Sequence, residues 1–210
     1  AKVNENGDLG KTECWYIIDC KENADMIFGH NAETKEELSK QIENGGWSDL
    51  LRRVKIKPGD FFYVPSGTIH ALCEGTLVLE TQQSSDTTYR VYDYDRKDAE
   101  GNLRELHLEK AIEVTTVPHK EAKVEYKIEE KENVTIKTFV QSDFFTVYKW
   151  DVEGKAGFVY NDKYLLFSVI GGKGTLLHDG EEYSLNKGTH FILPVGFGEF
   201  EIDGKCELIV

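Results

Sequence analysis

The chain has no surplus of basic residues, no long apolar run and no paired cysteines, and each absence removes a class of function. Lys and Arg number 25 against 38 Asp and Glu, giving a net charge of −13 and a pI near 4.9. Binding a nucleic-acid backbone needs clustered cations, so no nucleic-acid partner is expected. A small anionic substrate needs only a few well-placed cations and stays open. No run of about 18 or more apolar residues occurs, so no transmembrane helix and no membrane partner are expected. The first eight residues, Ala1 to Asp8, are polar and do not read as a signal peptide. The four cysteines, Cys14, Cys20, Cys73 and Cys206, form no CxxC pair and lie in apolar, strand-like segments. They read as reduced, mostly buried thiols of a cytoplasmic protein. His30, His107, His119, His178 and His190 offer no HxH or HxxxH spacing.

What is present is a β-rich pattern. Hydrophobic content of 40% is enough for a core. Segments 11–20 and 24–29 read as buried strands. Thr34-Lys35-Glu36-Glu37 is a capping box that predicts a helix of about ten residues ending near Gly45-Gly46. A second short helix is expected over 48–53, strands near 54–57, 60–64, 69–73, 76–82 and 88–94, and a helix over 106–114. Residues 118–133 are charge-rich and poor in core residues, which predicts a linker between domains at 1–117 and 134–210. The second domain reads as β throughout, in strands at 134–140, 144–151, 164–170, 174–178, 182–185, 189–193, 198–202 and 205–209, with Gly-Gly, Asp-Gly and Lys-Gly signals at the turns.

One run stands out. Lys57-Pro58-Gly59-Asp60-Phe61-Phe62-Tyr63-Val64-Pro65-Ser66-Gly67-Thr68-Ile69-His70 reads as a turn, a strand, a second turn and a histidine opening the next strand. The pattern recurs at an offset of 129, in Asn186 to Gly196, with Gly, Phe, Pro and Gly at matching places. Two copies of one β unit predict two stacked antiparallel barrels of jelly-roll type, with a few short helices. Glu199 stands where the second copy would carry His70, so the second barrel is expected to be structural.

Three groups in the first barrel carry potential chemistry. Glu13 is a charge inside a strand that otherwise looks buried, which calls for a partner or a metal. The alternative is a strand-end carboxylate reaching solvent. His70 is the second group, and its alternative is a core histidine bonded to backbone. The third is the polar, β-prone segment Leu79 to Arg90, suited to lining a cavity, with Arg90 placed to neutralise an anion or simply to pair with Asp93 or Asp95. A histidine and a carboxylate suit a divalent metal, but zinc takes three or four protein ligands, so the set is incomplete in this sequence.

Gly10-Lys11-Thr12-Glu13-Cys14-Trp15-Tyr16, Pro65-Ser66-Gly67-Thr68-Ile69-His70-Ala71 and Glu80-Thr81-Gln82-Gln83-Ser84-Ser85-Asp86-Thr87-Thr88-Tyr89-Arg90-Val91-Tyr92-Asp93 closely resemble the type I mannose-6-phosphate isomerase family in its short bacterial form. The resemblance covers essentially the whole chain. It implies a zinc-dependent cupin enzyme that interconverts mannose 6-phosphate and fructose 6-phosphate through an enediol, with a small phosphorylated sugar as substrate. It implies that Glu13 and His70 are zinc ligands, that Arg90 is catalytic, and that Lys11 and Glu80 line the substrate site. The family's other two ligands, from a Gln-x-His-Pro-like motif just upstream of the residue matching Glu13, have no counterpart, since residues 1–12 contain neither Gln nor His. The expectation is therefore a chain that starts after that motif, with an incomplete first barrel. The competing reading is a non-catalytic bicupin, a sugar-binding or structural module. A different cupin metalloenzyme, such as a dioxygenase, ranks third because its close-set pair of histidines with a glutamate is not seen.

Overall fold

The computed structural model describes Glu5, Gly7 and residues 9–210. Strands dominate, and the chain divides into two units between Lys123 and Val124. Among the described residues no helix is long and apolar enough to cross a membrane.

The first unit opens with β1 (Glu13–Cys20) and β2 (Asp25–His30), followed by α1 (Lys35–Glu43) and the single turn α2 (Trp47–Leu50). Next come β3 (Leu51–Lys55), β4 (Phe61–Val64), β5 (His70–Leu72), β6 (Thr76–Gln82) and α3 (Leu108–Val114). The strands form two three-stranded antiparallel sheets, ordered β4-β1-β6 and β3-β2-β5. Trp15, Ile17, Met26, Phe28 and Val64 close one core, while Leu38, Ile42 and Leu50 bury the apolar face of α1 in another. The hydroxyl of Thr34 accepts the Glu37 amide as expected, but the Glu37 carboxylate takes the amide of Glu33 rather than that of Thr34. At the other end of the unit the ammonium of Lys35 donates to the carbonyls of Ile112, Glu113 and Thr115. Those are orphan acceptors at the end of α3, so a cation there is favoured twice over, by hydrogen bonding and by the helix dipole.

Two expectations fail in this unit. The helix expected over 48–53 stops at Leu50, because Leu51 to Lys55 pair with β2 and sheet pairing overrides local preference. Residues 88–94 form no strand. Beyond Gln82 the chain leaves β1, and its backbone bonds instead to His107: the Arg90 amide donates to His107 Nδ1, and the His107 amide donates to the Arg90 carbonyl.

The second unit holds β7 (Lys127–Lys131), β8 (Val134–Gln141), β9 (Thr146–Tyr160), β10 (Leu165–His178), β11 (Glu181–Asn186), β12 (His190–Leu193) and β13 (Gly198–Ile209). They make one sheet in the order β11-β10-β13-β9-β8-β7, with β12 also on β10. Its core is aromatic: Trp150 stacks on Phe158 at 4.5 Å and Phe167 on Phe191 at 4.7 Å. Two corrections apply here too. The run expected as a linker, 118–133, contains β7, whose five residues are all exposed: two Lys, two Glu and one Ile. Backbone pairing to β8 holds it, and its charges suit a sheet edge. The breaks expected within 164–178 and 198–209 are absent, because the glycines there are close approaches between strands and not turns. Gly154, Gly204 and Gly174 sit side by side across β9, β13 and β10, and a Cβ on Gly204 would lie 2.5 Å from the Cα of Gly174.

The internal echo is a real structural repeat. Gly59 and Gly188 both have φ of 90°. Each donates its amide to the strand opposite, Gly59 to Ile17 and Gly188 to Val169. Pairing is preserved: Glu13 faces Val64 on β1 and β4, and Leu165 faces Leu193 on β10 and β12.

Candidate active site

Glu13 opens β1, where one neighbour strand delivers Val64 and the other Gln82. Its side chain is only 1% exposed. His70 opens β5 after the Pro65–Gly67 turn, whose Gly67 has φ of 90° and would place a Cβ 2.7 Å from the Val114 carbonyl. The turn needs glycine for both reasons, and it sets His70 beside Glu13: Nε2 lies 2.8 Å from Oε1.

His70 Nδ1 is 2.7 Å from the Thr68 carbonyl, which can only accept, so Nδ1 carries the hydrogen. In a neutral ring Nε2 then presents a lone pair to a carboxylate oxygen that has no hydrogen-bond partner of good geometry. With a neutral ring, two acceptors would face each other across 2.8 Å; a cation shared between them, a metal or the proton of an imidazolium, turns the contact into an attractive one. A backbone carbonyl on the far nitrogen is the usual support of a metal-ligating histidine. The edge of Trp15 packs against the ring at 5.0 Å and fixes its plane.

Lys11 and Glu80 join this group. Lys11 Nζ is 2.5 Å from Glu13 Oε2 and 3.3 Å from Glu80 Oε1, and the Trp15 indole donates to Glu80 Oε2 at 3.0 Å. Burial pushes the Glu13 carboxyl up, but His70 and Lys11 outweigh it and hold it below its ordinary value. Burial pulls the Lys11 ammonium down, yet Glu13 and Glu80 raise it above the usual lysine range. Lys11 is therefore a firmly charged donor and a poor base. Cys14, pushed up to about 12 by burial, is inert as a nucleophile.

All of this opens into a cavity of about 920 Å³ whose lining includes Lys11, Glu13, His70, Arg90, Asp93 and Arg104. Glu80 is not part of the lining and reaches it only through Lys11. Arg90 sits on the opposite segment, with Nη1 donating to the Glu105 carbonyl at 2.9 Å and Nε 3.8 Å from Asp93. Sequence reading missed Asp93, Arg96 and Arg104 as a group, although the spacing of Arg90, Asp93 and Arg96 was visible. Arg104 joins them only through the loop that folds back after Asp98. Among the described residues no group of three or more His, Cys, Asp or Glu could hold a metal ion. Glu13 and His70 fit a divalent cation as two donors of a larger set.

Comparison with known proteins then decides the family. A family model described as the cupin domain of mannose-6-phosphate isomerase matches residues 135–210. The chain is 60% identical over all 210 residues to a probable mannose-6-phosphate isomerase, GmuF, of Bacillus subtilis strain 168, covering 67% of that relative. The chain belongs to the mannose-6-phosphate isomerase family. A crystal structure of the mannose 6-phosphate isomerase from Bacillus subtilis superposes with a TM-score of 0.96 at 57% identity, over the whole chain and 67% of that structure. The chain thus spans about two thirds of the length of these isomerases. A solved mannose 6-phosphate isomerase bound with zinc and yttrium shares the fold at 13% identity and a TM-score of 0.74, over 95% of this chain and 65% of that one. The architecture is thus mainly β and cupin-like, and the non-catalytic alternative is not favoured by the relatives.

Proposed function

We propose that this chain carries the catalytic unit of a zinc-dependent isomerase that interconverts mannose 6-phosphate and fructose 6-phosphate through an enediol. The observation that carries the reading is the Glu13–His70 pair, a carboxylate oxygen and a ring nitrogen 2.8 Å apart at the cavity wall with the histidine anchored by Thr68. In this reading Glu13 and His70 hold the zinc, and further ligands come from residues outside these 210. The zinc, when bound, supplies Lewis-acid polarisation of the sugar oxygens.

The protein's own groups do the rest. Isomerisation moves a proton between C1 and C2, and charge builds on the adjacent oxygens. Arg90 lines the cavity, and its planar guanidinium presents fixed N–H donors that stabilise that oxyanion. Lys11, bridged between Glu13 and Glu80, donates to a polar substrate group and restrains the two carboxylates. Trp15 holds Glu80 in place.

We read residues 1–117 as an incomplete first cupin barrel that is catalytic, and 134–210 as a second barrel of the same plan that is structural. Leu165 and Glu199 stand at the places of Glu13 and His70, which supports the division of labour. Four free cysteines support a cytoplasmic protein, and the acidic composition supports a small-molecule partner rather than nucleic acid.

The test is zinc content by plasma mass spectrometry together with a mannose 6-phosphate isomerisation assay, before and after chelation. Zinc-dependent turnover is expected once the ligand set is complete. Full turnover after exhaustive chelation would overturn the zinc reading, and zinc-free, inactive protein with the ligand set restored would favour the non-catalytic bicupin.

A further inference from the structure

We infer that His119 is a positioning residue for the turn that bears His70, and that it works as a proton-sensitive latch. Neutral, it clamps the segment after α3 onto β2; protonated, it lets that segment go. The inference goes beyond the isomerase reading and stands independently of it, because it concerns how the turn is held and not what the site does.

The latch is made of close approaches. Residues 115–126 belong to no helix or strand, so tertiary contacts decide where they lie. Two of those contacts fasten them to β2. His30 Nε2 donates to the Thr116 carbonyl at 2.9 Å. The His119 ring lies edge to face against Phe28 at 5.7 Å, with the His30 ring 6.0 Å away. It fills the space that Gly29 leaves empty: a Cβ on Gly29 would lie 2.5 Å from His119 Nε2. A side chain at position 29 would push the ring out.

The same residues hold the turn. The Thr116 amide donates to the Gly67 carbonyl at 2.9 Å, and the Gly29 amide donates to the Ile69 carbonyl at 2.7 Å. Thr116 thus joins His30 on one side to Gly67 on the other, and Gly29 joins the notch under His119 to the residue before His70. Gly67 and Ile69 flank Thr68, whose carbonyl fixes the His70 ring. Displacing His119 loosens both ties together. The ring is half-buried, and its neighbours Pro118 and Lys120 are exposed, so the segment can swing outward without unpacking a core.

The surroundings favour a neutral ring over an imidazolium. His30 is 3% exposed. With Nε2 donating to Thr116, its Nδ1 is a lone pair, buried without a hydrogen-bond partner. His119 Nε2 is likewise buried and unpartnered. A proton there has no hydrogen-bond acceptor, and a buried charge without one is costly. The charged and titratable groups facing His119 are Arg52 on β3, His30 on β2 and Glu121 on its own segment. Arg52 repels an imidazolium, and Glu121 is already engaged by Arg52 at 2.6 Å. Burial, Arg52 and His30 together hold His119 below its ordinary 6.5, with Glu121 opposing them. A lowered value in the latched state means that the released ring binds the proton more tightly. Latching is therefore complete above about pH 6.5 and weakens as pH falls from there to the lowered value.

The experiment is amide hydrogen exchange, followed by two-dimensional NMR, on the 210-residue chain at pH 7.5, 6.5 and 5.5, with wild type, His119→Phe and His119→Gln. Protection at Thr116 and Gly29 reads the two ties. Ile17, whose amide donates to the Asp60 carbonyl, serves as the reference. Near-ultraviolet circular dichroism at pH 7.5 checks the packing. Between pH 7.5 and 5.5, wild type should lose about threefold or more of its protection at Thr116 and Gly29 relative to Ile17. His119→Phe keeps an uncharged ring in the notch and should hold protection high and level. His119→Gln has no ring to fill the notch and should be level and lower. A fall of wild-type size in either variant overturns the inference, since it assigns the response to another group, His70 included. Level protection in wild type overturns it too. If neither variant folds, the His119 ring is titrated directly in wild type. A midpoint under 6.5 shared with the Thr116 and Gly29 amide shifts upholds the latch, and a midpoint at or above 6.5, or amide shifts that do not follow the ring, overturns it.

Discussion

The two units use the same strand–turn–strand module and fill it with opposite chemistry. In the first, the residue opposite Val64 is the buried carboxylate Glu13, and the strand after the second turn opens with His70. In the second, the residue opposite Leu193 is the buried Leu165, and Glu199 is exposed near the start of β13. Backbone register, turn glycines and amide bonds are conserved between them, so the fold does not demand the polar pair. A carboxylate buried where an apolar residue serves equally well is a cost to stability, and such costs mark function.

The largest test of this contrast is His70→Ala. It should remove zinc from the complete enzyme and bring turnover below detection, read by metal analysis and the isomerisation assay; normal zinc and full rate would sink the assignment. Next is a reciprocal exchange at the matched position. Leu165→Glu puts an unpaired charge in the second core and should cost about 3–5 kcal/mol in urea unfolding. Glu13→Leu should leave stability unchanged or raise it by about 1 kcal/mol while abolishing metal binding. Equal costs in both directions would mean that Glu13 is a structural member of its core.

Arg90→Ala should keep zinc and lower kcat about 10²–10³-fold, the scale of one lost oxyanion donor. Loss of metal with an unchanged rate per bound zinc would assign Arg90 to metal retention instead. The smallest effect is on pH dependence, and it should appear in the first unit alone. Burial, with Arg52 and His30, lowers the His119 pKa below its ordinary 6.5. The unfolded chain therefore binds this proton more readily than the folded one, so the stability His119 contributes is present above about pH 6.5 and is lost as pH falls below it. Thermal melts of wild type at pH 7.5 and 5.5 should show the drop, and His119→Asn should flatten it.

Much of this was legible in sequence. The Thr34 capping box, the two turn–strand–turn copies and the apolar β1 follow from local chemistry that acts over a few residues: an oxygen for an orphan amide, a glycine for a left-handed turn, alternation for a strand. Glu13 and His70 were visible as anomalies, a charge in an apolar run and a histidine after a rigid turn. Helix over 48–53 and a strand over 88–94 were misread because in each case a distant partner decided the backbone, β2 for Leu51–Lys55 and His107 for Arg90. The glycines of β10 and β13 were misread as turns because only three aligned strands reveal a close approach.

The sequence by itself determined the repeated β module, the acidic character of the chain, and the identity of the unusual polar residues, all of which depend on composition or on neighbours along the chain. Tertiary structure alone decided that Glu13 meets His70 at 2.8 Å, that Lys11 lies between two carboxylates, and that Arg90, Arg96 and Arg104 converge on Asp93. Those distances join residues up to 69 positions apart. They are set by sheet register and loop closure, which no local pattern encodes.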